Sequence, residues 1–505
     1  MTSRVARLAE RLARGFSGRL PRIFLGCLVL LCTVTVFGSW ALSSPPGSGP
    51  DDEYHLSSIW CSHGYRIQYC EKSESIYEVK IPLQLHRNGG PRTIFCYAGD
   101  SRISARCIRE LDPTAVTKLE SSKRFNTSRI AARFYDANGY LISANTNASI
   151  LRMRFLQIAV SLALVGFVIS SSGERKWAIL LTLFVGIVPV GLFTIPSTNP
   201  SSWAITGVFT AGACAMNFFK STERRHRIIA TVGITTALLL TRNLRSDVNL
   251  MMILCIPLGV ATGVLGREIK ASLKINRAKL RRYGFVFLLG LIIFHLKVHT
   301  LAPQTIVSKL LSGKFYSLVG DSPLLFLGFL GGSIQLGSPD FAPPSAVLIL
   351  MGVGLAAFIG AVLRYVPLAV KVIASVGTSL IFALAYFYVD GAIGAVSRYL
   401  MAIYLLVLVM LASSAALGIR STNFKISKSS RVTIFIAISL AQSLSLHQSI
   451  RRYVTGTNFS GWNLNKGAEW WWINGPSPLS VWTIGSVSFA VAIFIILQMT
   501  NWATK

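Results

Sequence analysis

The chain has 505 residues, of which 52% are hydrophobic and only 14% are charged, and its formal net charge is +30. This composition excludes a soluble multidomain protein. Apolar runs of about 20 residues, enough for one helix to cross a bilayer, recur from residue 23 to the C-terminus. The sequence therefore predicts an all-α polytopic membrane protein.

Most of the Lys and Arg residues fall in short loops that alternate with loops of little charge. Basic loops of this kind are retained on the cytoplasmic side, where they face anionic lipid. No basic patch with interleaved aromatic residues stands apart from the pattern, so we exclude nucleic acid as a partner and expect membrane lipids. The alternation predicts a multi-pass protein of the cytoplasmic membrane with both termini inside.

The chain begins with a basic segment, residues 1–22, which we assign to the cytoplasm. The apolar run 23–43 is long enough to span, and we interpret it as a retained first helix rather than a cleaved signal peptide. An extracytoplasmic module at 44–150 follows, then a polytopic membrane domain at 151–498 and a cytoplasmic C-terminus at 499–505.

The polytopic domain contains further predicted spans, which with the first make about twelve. They lie at about residues 153–172, 177–195, 203–220, 228–241, 248–265, 283–297, 344–363, 369–388, 399–417, 432–449 and 479–498. Two segments assigned to the outer side are too long for simple turns, 298–343 and 450–478. The first is predicted as re-entrant or surface-lying. The second contains Trp470, Trp471 and Trp472, which predict an interfacial aromatic belt, with a sugar-stacking platform as the alternative.

The module at 44–150 follows a helix-breaking segment, residues 44–50, that is rich in Pro, Gly and Ser. Residues 76–85 and 93–98 are typical of β-strands, and residues 87–91 are typical of the turn between them. We expect the module to cap the membrane domain.

The module also contains four cysteines, Cys61, Cys70, Cys96 and Cys107. An even number of cysteines outside the cytoplasm predicts two disulfides, for which four cysteines allow three pairings. No spacing typical of a zinc site is present, and we favour the local bridges Cys61–Cys70 and Cys96–Cys107.

An acidic cluster lies at the start of the module, formed by Asp51, Asp52 and Glu53 together with His55. A carboxylate beside the membrane can act as a general base that takes a proton from an attacking hydroxyl group. The carboxylate oxygens of the cluster are hard ligands that also suit a divalent cation, Mg²⁺ or Mn²⁺. The spacing of these residues is not diagnostic, so metal binding stays open. The alternative is a solvated loop without chemistry.

Five arginines are assigned to the outer side against the charge bias of the other loops: Arg242, Arg245, Arg398, Arg451 and Arg452. Because a guanidinium binds phosphate oxygens in a fork, these residues are candidates for holding a lipid phosphate. The alternative is that each only snorkels to the interface or pairs with an outer acid such as Asp247.

Three motifs resemble, in the same order, those of a large family of uncharacterised bacterial polytopic membrane proteins. The family motifs are Pro-Asp-Glu-x-x-His, Gly-Trp-Leu-Asp-x-x-Pro and Gly-Arg-Tyr. Their counterparts here are Pro50-Asp51-Asp52-x-x-His55, Gly337-Ser338-Pro339-Asp340-x-x-Pro343 and Ser397-Arg398-Tyr399. Asp52, Ser338-Pro339 and Ser397 depart from the family pattern.

The wider resemblance is to the C-type glycosyltransferases, membrane enzymes with an acidic motif in the first outer loop and polyprenyl-phosphate sugars as donors. This resemblance implies a fold of the same type, with Asp51 as the catalytic base and Asp52 and His55 in support. It also implies that Arg398, followed by Tyr399, contacts the donor phosphate. Donor sugar, acceptor and metal use stay open.

We therefore expect an extracytoplasmic, inverting glycosyltransferase that moves a sugar from a polyprenyl-phosphate donor to a cell-envelope glycan or lipid. We expect a lipid donor because nucleotide sugars are cytoplasmic and nothing in the sequence resembles a nucleotide-binding fold. In particular, no Gly-rich phosphate loop follows a predicted strand. The alternative is a transporter or flippase of a lipid-linked saccharide, for which paired repeats and ionisable groups near the midplane would be typical. A third interpretation is a structural partner in an envelope complex.

Overall fold

The computed structural model describes residues 19–270, 328–330, 343–379, 393–416 and 426–502, with short gaps at 65–68, 76, 88–89, 112–116, 128–129, 369, 373, 376–377 and 473–474. The predicted span at 283–297 and most of the one at 369–388 lie outside the described residues. So do Asp340 and most of the basic N-terminal segment.

The described helices and strands are numbered here in chain order. They are α1 (Arg19–Leu42), α2 (Asp52–Trp60), β1 (Glu71–Lys72), β2 (Val79–Pro82), β3 (Leu119–Ser122), α3 (Ala132–Gly139), α4 (Thr146–Ser171), α5 (Lys176–Gly186), α6 (Val190–Thr194), α7 (Ser201–Lys220), α8 (Arg224–Thr241), α9 (Ser246–Lys270), α10 (Ser345–Leu363), α11 (Ile393–Ala415), α12 (Lys428–Val454) and α13 (Pro478–Trp502). Short 3₁₀ turns occur at Leu83–Leu85, Gly90–Arg92, Ala105–Ile108 and Gly173–Arg175.

Within the described residues, 7 helices are long and apolar enough to cross a membrane, namely α1, α4, α9, α10, α11, α12 and α13. Each of them covers a run that the sequence predicts as a span. A mostly helical chain with this many apolar helices is a polytopic membrane protein. The total of about twelve spans stays a prediction.

The run predicted as one span at 177–195 is two helices. Helix α5 ends at Gly186, and α6 occupies only Val190–Thr194. Pro189 lies between them, and a proline has no N–H to donate to the preceding turn, so the first helix cannot continue through it. Because α6 is buried along its whole length, this segment lies inside the protein.

Helix α7 is the central helix of the membrane domain. Its residues are all buried from Ser201 to Asn217, and it packs against α4, α8, α9 and α11. The contact with α9 is the tightest, since a Cβ on Gly259 would overlap the carbonyl oxygen of Gly212. Small residues at a helix interface let two membrane helices approach to backbone contact. Helix α7 therefore sets the relative positions of four neighbouring helices.

The residues at 44–150 form a small module at one end of the helices, which we call the module side. Its sheet has the order β1-β2-β3 and is antiparallel, with Val79 opposite Ser122. Of the predicted strand 76–85, only β2 is extended. The predicted strand 93–98 is wrong, because the N–H of Cys96 bonds the Thr93 carbonyl at 3.3 Å and closes a turn.

Two disulfides hold the module together, Cys61–Cys70 and Cys96–Cys107, with Cα–Cα distances of 5.2 and 6.3 Å. They are the local bridges that the sequence favours. The first joins the end of α2 to the residue before β1. A loop-rich module of this size has a small core, and each bridge stabilises it by about 2–4 kcal/mol.

The run Trp470-Trp471-Trp472 after α12 forms neither a lipid-facing belt nor an exposed platform. Trp471 and Trp472 are buried, and the indole N–H of Trp472 donates to the Leu42 carbonyl at 2.9 Å. The ring of Trp471 meets Tyr453 edge-on. These rings therefore fasten the 450–478 segment to the end of α1.

The glycine contact between α7 and α9 makes a testable prediction. Gly259→Ala should lower the free energy of unfolding by about 1–3 kcal/mol, because the added methyl group forces two backbones apart. The measurement is thermal unfolding of the purified protein in detergent. Gly352→Ala in α10 is the matched control, since a Cβ there meets nothing within 4 Å. Equal effects of the two substitutions would contradict the tight contact.

Candidate functional site

Arg154 fixes the chain where it leaves α1. This arginine lies in α4 and is only 2% exposed. Its guanidinium donates to the carbonyl oxygens of Ala41 at 2.7 Å, Ser44 at 2.6 Å and Pro45 at 2.8 Å. Proline and glycine leave this segment without helical hydrogen bonds of its own, and the buried arginine supplies the donors instead. The position of the acidic cluster is thereby set.

Asp52 points into the protein from the first turn of α2 and is 2% exposed. Its Oδ2 accepts from the Gly49 N–H at 2.7 Å, and its Oδ1 accepts from the Thr198 hydroxyl at 2.6 Å. Burial raises the pKa of Asp52, while these two bonds and the charge of Arg154 act in the opposite direction. Asp52 therefore joins the module to the segment before α7 and faces no open space.

Asp51 points the other way. It has a φ of 57°, in the left-handed region, and its side chain is 52% exposed. Its Oδ2 lies 3.2 Å from Nη2 of Arg398, which belongs to α11. Aspartate tolerates this backbone conformation better than most residues. The turn lets two adjacent carboxylates serve different surroundings, one buried and one open.

Arg398 and Arg245 meet around one aromatic ring. The guanidinium carbon of Arg245 lies 3.9 Å from the centroid of the Tyr399 ring, and Nη2 of Arg398 donates to the Tyr399 hydroxyl at 2.9 Å. Arg245 also donates to both carboxylate oxygens of Asp247, at 2.9 and 2.8 Å, and to the Ser201 hydroxyl at 2.8 Å. Arg245 is thus paired with Asp247, which is the alternative to phosphate binding that the sequence analysis gave for these arginines.

Arg398 keeps more of its donor capacity. Its side chain is 13% exposed, and its hydrogen bonds within the described residues come from Nη2. Its Nε is buried and has no partner there. A buried donor without a partner is costly, so a ligand oxygen that accepts from it would be bound favourably.

His55 completes this arrangement beside Tyr135 of α3. Its Nδ1 lies 3.0 Å from the Tyr135 hydroxyl. Burial lowers the pKa of His55 to about 3, and the positive charges of Arg245 and Arg398 act in the same direction. The imidazole is therefore neutral at physiological pH and orients a neighbour rather than supplying a cation.

We call this group the Asp51 cluster. It consists of Asp51, His55, Tyr135, Ser201, Arg245, Asp247, Arg398 and Tyr399. The N-terminal ends of α7 and α9 lie at the cluster, and such ends favour an anion. The cluster combines one exposed carboxylate with a guanidinium that has unused donors.

Other predicted site residues lie elsewhere. Glu53 bonds Arg87 at 3.0 Å and Arg124 at 2.7 Å, and so holds the module. Arg242 is exposed in the turn after α8. Arg451 donates to carbonyl oxygens of the loop after α12, at 2.7 and 3.0 Å. None of these contacts reaches the Asp51 cluster.

A metal site does not assemble from the acidic motif. Asp51, Asp52 and His55 each face a different partner. Among the residues that the structure describes, no group of three or more His, Cys, Asp or Glu side chains converges as metal ligands.

An apolar cavity of about 600 Å³ lies between α1, α4, α5 and α7. Its lining follows α1 from Ile23 to Phe37, about 21 Å at about 1.5 Å per residue. On the module side it reaches Ile205, one turn below Ser201, and Leu405, two turns below Arg398. The cavity thus comes within one to two helical turns of the Asp51 cluster, although none of the cluster's residues is part of its lining. Its length along α1 is most of the roughly 30 Å of a bilayer core.

Fold and site define a polytopic α-helical membrane protein with a disulfide-bridged module and a polar cluster above an apolar cavity. Over residues 34–450 the chain matches the family described as predicted membrane protein (DUF2142), and it belongs to that family. No curated protein and no solved structure matches the chain.

Several residues at or near the cluster escape prediction from the sequence. Thr198, Ser201 and Tyr135 are hydroxyl residues without a motif, and their contacts depend on distant parts of the chain. Arg154 does give a signal, since it is a charged residue in an apolar run of the length of a span. Such residues usually face the protein interior and bind backbone carbonyls or a counter-ion.

The different roles of the two aspartates predict different stabilities. Asp52→Ala should lower the free energy of unfolding by about 2–4 kcal/mol, because it leaves the Gly49 N–H unpaired and removes the negative charge near Arg154. Asp51→Asn should change it by about 0.5 kcal/mol or less, since the side chain is exposed and asparagine also tolerates the left-handed backbone. Thermal unfolding in detergent measures both. Equal losses would contradict the inward and outward assignments.

Proposed function

We propose that the protein is a membrane glycosyltransferase that uses a polyprenyl-phosphate sugar and acts on a cell-envelope glycan or lipid. The proposal rests on one observation above all, an exposed carboxylate paired with a partly unused guanidinium within one to two helical turns of an apolar cavity. The wider resemblance to the C-type glycosyltransferases, which have an acidic motif in the first outer loop, points the same way, and the fold is proposed to be of that type.

In the proposed reaction Asp51 accepts the proton of an acceptor hydroxyl group. The hydroxyl oxygen attacks the anomeric carbon, and the bond from that carbon to the phosphate oxygen breaks. The bonding electrons leave with the polyprenyl phosphate, and the proton passes from Asp51 to water. A single displacement of this kind inverts the anomeric configuration.

Arg398 would bind the donor phosphate and stabilise the negative charge that develops on it. A guanidinium at this position acts through charge-assisted hydrogen bonds. Arg245 is held by Asp247 and Ser201, so its role would be to position Tyr399 and Arg398 rather than to grip the phosphate. Asp52 and Thr198 would keep Asp51 in place.

The cavity supports a lipid-linked donor rather than a soluble one. It is lined mainly by aliphatic and aromatic side chains, and its lining along α1 matches a hydrocarbon chain that lies across the membrane. A chain in the cavity would place its phosphate at the module side, beside Arg398. With the predicted topology, this side faces out of the cytoplasm.

A carrier for a lipid-linked saccharide is the second candidate. One observation favours it: the cavity also reaches Ile23 and Lys176, at the end of the helices opposite the module. A carrier would move the intact saccharide lipid between the two ends. It would release no polyprenyl phosphate.

The first prediction of the proposal concerns Asp51. Asp51→Asn keeps the shape of the side chain but cannot accept the proton, so turnover should fall about 100-fold or more. The assay supplies purified protein in nanodiscs with a panel of polyprenyl-phosphate monosaccharides and membrane extract as acceptor, and measures released polyprenyl phosphate. Asp100→Asn is the control, because Asp100 forms a similar pair with Arg102 in the same module. Full turnover in Asp51→Asn would remove Asp51 as the base.

The second prediction concerns Arg398. Arg398→Lys keeps the positive charge and loses the fork, so polyprenyl phosphate should bind about tenfold more weakly or worse. Arg242→Lys is the matched control, since Arg242 lies on the module side without a contact to the Asp51 cluster. Binding to the protein in nanodiscs measures both. Similar affinities in the two variants would contradict a phosphate contact at Arg398.

A further inference from the structure

A buried and a half-buried cation lie at the end of the helices opposite the module. Arg175 closes the 3₁₀ turn between α4 and α5 and is 8% exposed. Lys220 is the last residue of α7 and is half-buried. Both reach the same place between helices, although they come from different connections of the chain.

The two cations share a serine hydroxyl near the end of α11. Nη1 of Arg175 donates to Oγ of Ser413 at 3.0 Å, and Nζ of Lys220 lies 3.4 Å from the same atom. Nζ of Lys220 also donates to Oγ of Ser414 at 3.1 Å. A single oxygen bonded by both groups brings two like charges within a few ångströms of each other.

Within the described residues, neither cation bonds a carboxylate. The nearest acids along the chain do not pair with them, since Glu174 is exposed and Glu223 pairs with His226 at 3.3 Å. Buried charges are normally paired, since an uncompensated charge away from water is costly. Among the described residues, Arg175 and Lys220 have hydroxyl acceptors and no carboxylate partner.

We propose that Arg175, Lys220, Ser413 and Ser414 form a binding site for a phosphate-type anion. A guanidinium, an ammonium and two hydroxyl groups supply the donors that a phosphate group binds, and the anion would neutralise both cations at once. Lys220 keeps enough exposure for the site to open toward solvent or headgroups.

The site is distinct from the Asp51 cluster. It lies at the opposite ends of α7 and α11, and anion binding there does not depend on the proposed glycosyl transfer. With the predicted topology it faces the cytoplasm, where the anion has two sources, a phospholipid headgroup of the inner leaflet or free phosphate. An anion from either source would contact α7, α11 and the turn before α5, and would link them at this end. Experiment has to separate the two.

The test is thermal unfolding of the full-length protein in detergent with two probes. One arm compares inorganic phosphate with chloride at equal ionic strength, and the other compares micelles with phosphatidylglycerol and with phosphatidylcholine. We expect one of the two anionic probes to raise the unfolding temperature of the wild type. A response to phosphate indicates the free anion, and a response to phosphatidylglycerol alone indicates the headgroup.

Arg175→Gln and Lys220→Met should each weaken the responding probe's apparent affinity about tenfold or more. Arg225→Gln is the matched control, because Arg225 is an exposed cation at the start of α8 on the same side and its loss should leave the affinity unchanged. If either variant fails to fold, Arg175→Lys retains the charge but loses the fork, so the response should remain with a weaker apparent affinity than in the wild type. No response of the wild type to either probe, or equal affinities in all variants, would overturn the site.

Discussion

The architecture of the site depends on one buried arginine. Arg154 donates to three carbonyl oxygens of the segment that leaves α1, and its charge acts on Asp52, which in turn bonds the segment before α7. These contacts hold the segment after α1 against α4 and against the residues before α7. Removing Asp52 from this arrangement costs about 2–4 kcal/mol, because the buried charge of Arg154 stays behind. The exposure of Asp51 follows from this constraint, since its neighbour is held inward.

The same constraint connects structure to the proposed chemistry. The loop held by Arg154 carries Asp51 to within 3.2 Å of Arg398, although the two residues lie far apart in the chain. Below them the cavity between α1, α4, α5 and α7 has room for a hydrocarbon chain. A reactive headgroup above and a lipid chain below is what a lipid-linked sugar donor requires. In the proposed function, one substrate places its phosphate and sugar at the Asp51 cluster and its hydrocarbon chain in the cavity.

Much of this arrangement could be predicted from the sequence, and the failures have physical causes. Apolar runs identified the long helices because hydrocarbon demands internally bonded backbone. Family resemblance singled out Asp51 and Arg398, which the structure joins. Assignment to the outer side alone could not separate Arg398 from Arg242 or Arg451, because the side of the membrane does not determine which residues an arginine contacts. The strand expected at 93–98 failed because local β propensity gave way to a turn beside a disulfide.

The most direct test of the account is to find where a polyprenyl phosphate lies in the protein. A polyprenyl phosphate with a photoreactive group in its chain would be crosslinked to the protein in nanodiscs, and the labelled peptides would be identified by mass spectrometry. The account predicts labels on cavity residues such as Val36 and Ser161, lost on addition of excess unlabelled polyprenyl phosphate. Labels confined to exposed apolar residues such as Leu31 and Ile349, and unaffected by that excess, would contradict it.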